Sequence, residues 1–246
     1  MIKFFRKIRQ QLLTENRFSK YLIYAIGEIV LVVIGILIAL SINNWNEGRK
    51  REGLRISQTI YLKRDLEADV IILNKALQEA ENELSISRSL SDRLSSPGAS
   101  LDTLIKIARY EFNPAVGGLT GLNRNTYNSL IATGNIDLFG AEVNDKILDH
   151  YAFMDNRFYF VKVNNQSYVD VINKYLMSYP SKLKSNPING LLQDSFWQSV
   201  DCHKLQSEFN GVLMGKIFVS ENERATIIKL IKKTQELIKF IDSSSR

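Results

Sequence analysis

The sequence contains few of the residues that form reactive centres or covalent cross-links. Among 246 residues it has one cysteine, Cys202, and two histidines, His150 and His203. A single cysteine cannot form an intrachain disulfide, so cysteine usage does not indicate a redox compartment. Cys202 and His203 are neighbours in the chain, and no CxxC or HxxxH motif accompanies them. The sequence therefore predicts neither a metal site nor a Cys–His catalytic pair.

Signatures of nucleotide binding and of general acid–base catalysis are also missing. The glycine-rich stretch 114–121 follows no predicted strand and precedes no Gly-Lys-Ser/Thr, so it resembles no phosphate-binding loop. The acidic pairs Asp65/Asp69 and Glu79/Glu83 are each spaced by four residues among basic residues. This spacing is typical of a solvated helix face. We expect no enzymatic activity and no cofactor.

Positive charge is concentrated at one end of the chain, whose formal net charge is +6. Residues 1–50 contain eight Lys or Arg and three Glu, so they carry +5 of this charge. Only +1 remains for the rest of the chain. The sequence therefore predicts no extended basic surface and no nucleic-acid partner.

The most prominent feature that is present is one long apolar run, residues 21–42, in which only Glu28 and Ser41 are polar. A helix of these 22 residues spans a hydrocarbon core of ~30 Å. A helix is also the only form that a lone spanning segment can take in lipid. We predict a basic cytoplasmic segment at 1–20, a transmembrane helix at 21–42 and an extracytoplasmic helical domain at 43–246.

The flanking charges predict the orientation of this helix. Six Lys or Arg lie within the first 20 residues. This favours a single-pass protein of the bacterial inner membrane, with its N-terminus in the cytoplasm and its C-terminal domain in the periplasm. A cleaved signal peptide is the alternative, because Ala39-Leu40-Ser41 has the small residues that cleavage requires. The long basic segment, the length of the run and Glu28 favour an uncleaved anchor.

The N-terminal segment is predicted to contact lipid headgroups. Lys3, Arg6 and Lys7 fall on one stripe of a short amphipathic helix, opposite an apolar stripe. A basic amphipathic helix beside a membrane anchor lies in the headgroup layer and binds anionic lipid. The alternative is that these charges only determine topology.

One face of the apolar run is predicted to contact another helix. Glu28, Val32, Gly35 and Ala39 are spaced by four, three and four residues, so they share this face. Small residues allow two helices to approach closely, and a carboxyl group can then bond across the seam. We therefore expect a homo-oligomer or a membrane-protein partner. The alternative is that Glu28 reaches water at the inner interface.

Beyond the apolar run, the sequence predicts long helices. Apolar residues recur at alternating intervals of three and four, which is the period of one helix face. The pattern predicts helices at 54–94, 141–177 and 220–242. Pro-Gly at 97–98, Pro180 and a Ser220/Glu223 capping box set their limits. We predict an all-α fold, with an extracytoplasmic antiparallel bundle of long helices.

Individual residues carry further local predictions. Asn123 is predicted to cap a short helix that runs to Thr133 and ends at Gly134. A helix break is predicted near Gly211. Asn165 is the one polar residue on the longest predicted seam. Such a residue often fixes the register or the partner number of a bundle.

Two blocks of the sequence resemble a known family. The first is GEIVLVVIGILIAL, beginning at Gly27, followed by INNWNE, beginning at Ile42. The second block comprises Thr126-Tyr127-Asn128-Ser129-Leu130, Thr133-Gly134-Asn135, Ile147-Leu148 and Tyr151. The chain resembles an uncharacterised family of single-pass membrane proteins from Bacteroidota, with His150 where the family pattern has a second tyrosine. That family has no assigned activity, so the resemblance implies a membrane location and no mechanism.

These observations predict a non-enzymatic structural or accessory subunit that acts through contacts in and above the membrane. One alternative is an extracytoplasmic sensor. Because the segment before the anchor has only about 20 residues, a sensor would signal through a separate partner. A second alternative is a proton relay through Glu28 beside a membrane motor.

Overall fold

The computed structural model describes residues 18–119, 121–180, 188 and 190–244, and this part of the chain contains helices and no strands. The predicted all-α fold class is confirmed. The α-helices are α1 (Phe18–Ser95), α2 (Leu101–Lys106), α3 (Asn125–Thr133), α4 (Ala141–Ser178), α5 (Leu191–Gln198) and α6 (Cys202–Ser244). A π-helix at Ile107–Glu111 continues α2, and a 3₁₀-helix at Asn135–Phe139 joins α3 to α4.

Helix α1 contains the long apolar run near the N-terminus. Within the part of the chain that the structure describes, α1 alone is long and apolar enough to cross a membrane. Its most apolar window has a mean hydropathy of 2.8, and none of that window is buried. These properties are compatible with a single-pass membrane protein. The helix ends at Ser95, before Pro97 and Gly98, as the sequence predicts.

The chain divides into two compact units, Met1–Ser57 and Gln58–Arg246. This division marks where packing against other helices begins. The predicted boundary at 42/43 marks the end of the apolar run, which is a different property. The predicted limits 1–20, 21–42 and 43–246 therefore stay predictions.

Two clusters of buried apolar side chains form the core of the second unit. One cluster includes Leu104, Ile107, Tyr168, Tyr175, Trp197 and Phe209. The other includes Leu62, Leu66, Leu73, Ile147, Tyr151, Met154, Ile227 and Leu237. Fully burying one such aliphatic side chain contributes ~1.5–3 kcal/mol. Helices α4 and α6 contribute to both clusters, so they link the two halves of the core.

Helix α4 follows its predicted pattern closely. The expected limits, 141–177, differ by one residue from the observed Ala141–Ser178. The side chains at the predicted three- and four-residue intervals are largely buried, among them Ile147, Met154, Val161 and Ile172. Burial of one face, and not intrinsic helix propensity, therefore explains this helix.

The predicted organisation of the C-terminal region is wrong in two respects. The helical structure is interrupted at 199–201, between α5 and α6, and not near Gly211. At the start of α6, Asp201 Oδ1 accepts hydrogen bonds from the backbone amides of His203 and Lys204. The Ser220/Glu223 pair opens no helix, because both residues are buried inside the continuous helix α6. One buried face runs along this helix past both sites, and its packing outweighs the local breaker and capping signals.

Candidate functional site

The predicted contact face lies on the exposed part of α1. Glu28, Val32, Gly35 and Ala39 are all exposed. Val32 is 55% exposed, and a Cβ atom added at Gly35 would meet no described atom within 4 Å beyond the adjacent backbone of its own helix. The described part of the chain therefore leaves room for another helix at this face. Lys3, Arg6 and Lys7, the predicted headgroup contacts, lie outside the described residues.

Asn165, the predicted register residue, contacts a loop. It is half-buried, and its Nδ2 donates a hydrogen bond of 3.3 Å to the carbonyl oxygen of Gly117. That carbonyl belongs to the loop 112–119, which joins the π-helix to the α3 region. The register role of Asn165 stays a prediction, and the observed contact adds a loop-holding role.

Side chains of α4 and α6 hold three carbonyl groups of the loop 112–119. Asn165 binds that of Gly117. The hydroxyl of Tyr168 donates to the carbonyl of Pro114 at 3.0 Å, and the ammonium group of Lys216 donates to that of Asn113. The loop therefore follows the surface of two helices and is not a free phosphate-binding loop.

Lys216 is the centre of this polar cluster. Its side chain is 2% exposed, and its Nζ lies 2.8 Å from Oε2 of Glu83 on α1. The ammonium group also lies 5.8 Å from the ring centroid of Phe112. A buried ammonium ion is costly unless it is paired and hydrogen-bonded. Glu83 and Asn113 supply those partners, so the cluster joins α1, α6 and the loop.

A small cavity of about 50 Å³ lies beside Lys216. Its lining includes Glu79, Glu83, Gly117, Ser220 and Glu223. Glu223 is 7% exposed, and its carboxyl group makes no hydrogen bond with another described residue. Burial, together with the nearby charge of Glu79, raises the pKa of Glu223. No group of three Asp, Glu, His or Cys side chains in the described residues could hold a metal ion.

A second polar cluster surrounds two aspartates of α1. Asp65 Oδ2 accepts hydrogen bonds from the amide and the hydroxyl of Thr126, at 3.3 and 2.6 Å. Asp69 Oδ1 accepts from the amide and the side chain of Asn123, at 2.7 and 2.8 Å. Asp65 thus caps α3 from another helix, and the prediction that Asn123 caps it is wrong. The predicted solvated face is also wrong here, because Asp69 is 1% exposed.

Buried tyrosine lies close to these aspartates. The ring of Tyr127 stacks on that of Tyr151, with centroids 3.8 Å apart and an interplanar angle of 15°. Burial raises the pKa of Tyr151, and the charges of Asp69 and Asp65 act in the same direction. Burial also raises the pKa of Asp69, against the effect of its hydrogen bonds from Asn123. Tyr151 therefore serves the core as a neutral side chain.

The comparisons with known proteins identify a family and no function. A family of unknown function, DUF6090, matches residues 28–174, which is more than half of the chain. The chain belongs to this family. No curated protein and no solved structure matches it. The expected membership of an uncharacterised family is therefore confirmed.

The two polar clusters differ in how much of each lies within the residues that match DUF6090. The aspartate cluster, Asp65 to Tyr151, lies entirely within residues 28–174. Of the cluster around the loop 112–119, Glu83 and Tyr168 lie inside the match, whereas Lys216 and Glu223 on α6 lie beyond it. The aspartate cluster is therefore the polar site that the DUF6090 region builds by itself.

Sequence reasoning missed the Lys216 cluster, although a signal was present. Buried positions of α6 recur at three- and four-residue intervals, and Lys216 and Glu223 occupy two of them. A charged residue at a position where the period requires an apolar one indicates a buried polar partner. The partner itself could not be predicted, because Glu83 is 133 residues away in the sequence.

Proposed function

We propose that this member of DUF6090 is a non-enzymatic, membrane-anchored structural or accessory subunit. It acts through helix–helix contacts in and above the bacterial inner membrane, as a homo-oligomer or with a membrane-protein partner. The observation that carries the proposal is the open face of α1, where a Cβ added at Gly35 would meet no described atom within 4 Å beyond the adjacent backbone of its own helix. The charge distribution supports a cytoplasmic N-terminus and a periplasmic C-terminal domain. The sequence blocks support an origin in Bacteroidota.

Ion pairs between α1 and α6 support the proposed antiparallel bundle. Lys63 pairs with Asp242 at 2.7 Å, and Arg88 pairs with Glu221 at 2.6 Å. Between these, Glu81 pairs with Arg224 at 3.0 Å. Residue numbers rise along α1 while those of the partners fall along α6, which is the pattern of two antiparallel helices. Exposed ion pairs contribute little to stability. These pairs are useful here because they indicate how α1 and α6 are aligned.

Co-purification of two differently tagged copies in mild detergent tests the proposal, together with identification of any other protein that is retained. Gly35→Leu should reduce association, because the larger side chain prevents close approach at the face. Gly27→Leu is the matched control. It makes the same substitution at a second open glycine of α1 that lies off the face. No retained partner, or equal losses in both variants, would contradict the proposed contact face.

A ligand-binding sensor is the second candidate function, and one cleft supports it. The cleft has a volume of about 570 Å³ and lies where the end of α1, α2 and α6 meet. Its lining has no charged side chain and includes Ser91, Ser95, Gln206, Asn210 and Phe209. A volume in this range suits a small ligand. A neutral metabolite that raises the melting temperature of the detergent-solubilised chain would favour the sensor, since only binding to the folded state stabilises it.

A further inference from the structure

A group of basic side chains and one tryptophan lies on α1 just after the apolar run. Arg49, Lys50 and Arg51 are exposed, and Trp45 is 65% exposed. Neither the contact face nor the polar clusters of the second unit use these residues. The two glutamates nearest to them, Glu47 and Glu52, determine which of the positive charges are neutralised.

The basic side chains differ in their ion pairs. Lys50 Nζ lies 2.9 Å from Glu47 Oε1. Arg55 binds both carboxylate oxygens of Glu52, at 2.8 and 2.7 Å. Arg49 and Arg51 have no carboxylate partner in the part of the chain that the structure describes. Two arginines therefore keep an uncompensated positive charge at this level of the helix.

The position of Arg49 along α1 matches the depth of lipid headgroups. At 1.5 Å per residue, Trp45 lies about 4.5 Å and Arg49 about 10 Å beyond Ile42, the end of the apolar run. The guanidinium of Arg49 turns towards Trp45 and lies 5.0 Å from the centroid of its ring. The headgroup layer extends several ångströms beyond the hydrocarbon core, and tryptophan is enriched there.

We propose that Arg49 and Arg51 bind the phosphate groups of anionic phospholipids at the outer surface of the membrane. Guanidinium groups bind phosphate oxygens through paired hydrogen bonds. Trp45 lies beside Arg49 as an interfacial side chain and keeps its guanidinium oriented. This inference rests on the proposed membrane anchor and adds a lipid class to it. The attraction of one basic side chain corresponds to roughly fivefold enrichment of anionic lipid.

Quenching of Trp45 fluorescence by brominated lipid in nanodiscs tests the inference with the full chain. Two samples have the same lipid composition, with bromine only on phosphatidylglycerol or only on phosphatidylcholine, at equal mole fractions. We expect phosphatidylglycerol to quench Trp45 several-fold more strongly. The Trp45→Phe variant gives the contribution of Trp197, which is subtracted.

Variants separate specific binding from simple charge. Arg51→Gln leaves the stacking partner of Trp45 in place and should lower the preference for phosphatidylglycerol. Lys50→Gln combined with Glu47→Gln removes a pair whose charges already cancel, so the preference should remain. Equal quenching by both lipids, or equal effects of the two variants, would overturn the inference while leaving the anchor intact. Absence of quenching by either lipid would refute the anchor as well.

Discussion

Lys216 Nζ and Glu83 Oε2 lie 2.8 Å apart, with a lysine side chain that is 2% exposed and a glutamate side chain that is 32% exposed. The pair joins α6 to α1. The same ammonium group donates to the carbonyl of Asn113 in the loop 112–119. Removal of Glu83 would leave the buried charge of Lys216 without its carboxylate partner. Removal of Lys216 would leave the Glu83 carboxylate and the Asn113 carbonyl without their hydrogen-bond donor.

Glu83→Ala should destabilise the protein by about 2–3 kcal/mol, because Lys216 keeps a buried charge without its carboxylate partner. This is below the cost of breaking a fully buried pair, since Glu83 is partly solvated. Adding Lys216→Met should recover part of the loss, because no buried charge then remains. Chemical denaturation in detergent, followed by the fluorescence of Trp197, measures both effects.

The exposed pair Lys232–Glu236 provides the control for this prediction. Its side chains are 78% and 54% exposed and lie 3.9 Å apart. Glu236→Ala should change the free energy of unfolding by less than ~0.5 kcal/mol. Equal losses in Glu83→Ala and Glu236→Ala would show that the buried lysine does not depend on Glu83.

The limits of α4 and the C-terminal end of α1 were predictable because the period of a helix is local. The seam of α4 is visible in the sequence, and so are the breakers Pro97, Gly98 and Pro180. The end of α3 at Gly134 was also predictable, because helices commonly end at a residue in the left-handed conformation, which glycine adopts most readily. Gly134 has this conformation, with a φ of +69°. These features depend on a residue and its nearest neighbours along the chain.

The polar clusters were not predictable, because their partners are distant in the sequence. Asp65 caps Thr126 across 61 residues, and Lys216 meets Glu83 across 133 residues. From local spacing, Asp69 and Glu83 looked like members of a solvated face. Only the packing of α1 against α3 and α6 shows which of these carboxylates are buried.

Asp65→Ala should selectively weaken α3. The substitution removes both hydrogen bonds from Thr126 and leaves the helix without its cap, at a cost of about 1–2 kcal/mol. Amide hydrogen exchange should accelerate first in Asn125–Thr133, before α4 or α6 responds. Glu67→Ala is the control, since Glu67 is exposed and its nearest cation, Lys63, lies 3.9 Å away. Uniform acceleration throughout the second unit would contradict a local capping role.

His150 should make stability depend on pH. It is 4% exposed, and burial, with a smaller effect of Lys233, lowers its pKa to about 4. In the unfolded chain the pKa of His150 is 6.5, so between pH 6.5 and 4 this histidine binds more protons in the unfolded chain than in the folded one. Stability should therefore fall as the pH falls through this window, by up to about 3 kcal/mol.

Melting temperatures measured from pH 7 to pH 4 check the contribution of His150. His150→Leu should flatten this dependence, because the group that the unfolded chain protonates is then absent. His203→Leu removes an exposed histidine and should leave the slope unchanged. The carboxyls of Asp69 and Glu223 have raised pKa values and act in the opposite direction. The comparison of the two histidine variants is therefore more informative than the total slope.

Glu28 distinguishes an association role from a proton relay. Glutamine keeps the hydrogen-bonding capacity of this side chain and removes its exchangeable acid proton, whereas leucine removes both. If the carboxyl bonds across a helix seam, Glu28→Gln should retain association within about twofold, and Glu28→Leu should weaken it roughly three- to tenfold. Titration of tagged copies by energy transfer in nanodiscs measures both.

Unchanged association in Glu28→Leu would show that Glu28 does not contribute to the helix seam. Intact association in Glu28→Gln together with loss of the biological activity that the complex supports would instead favour the proton relay.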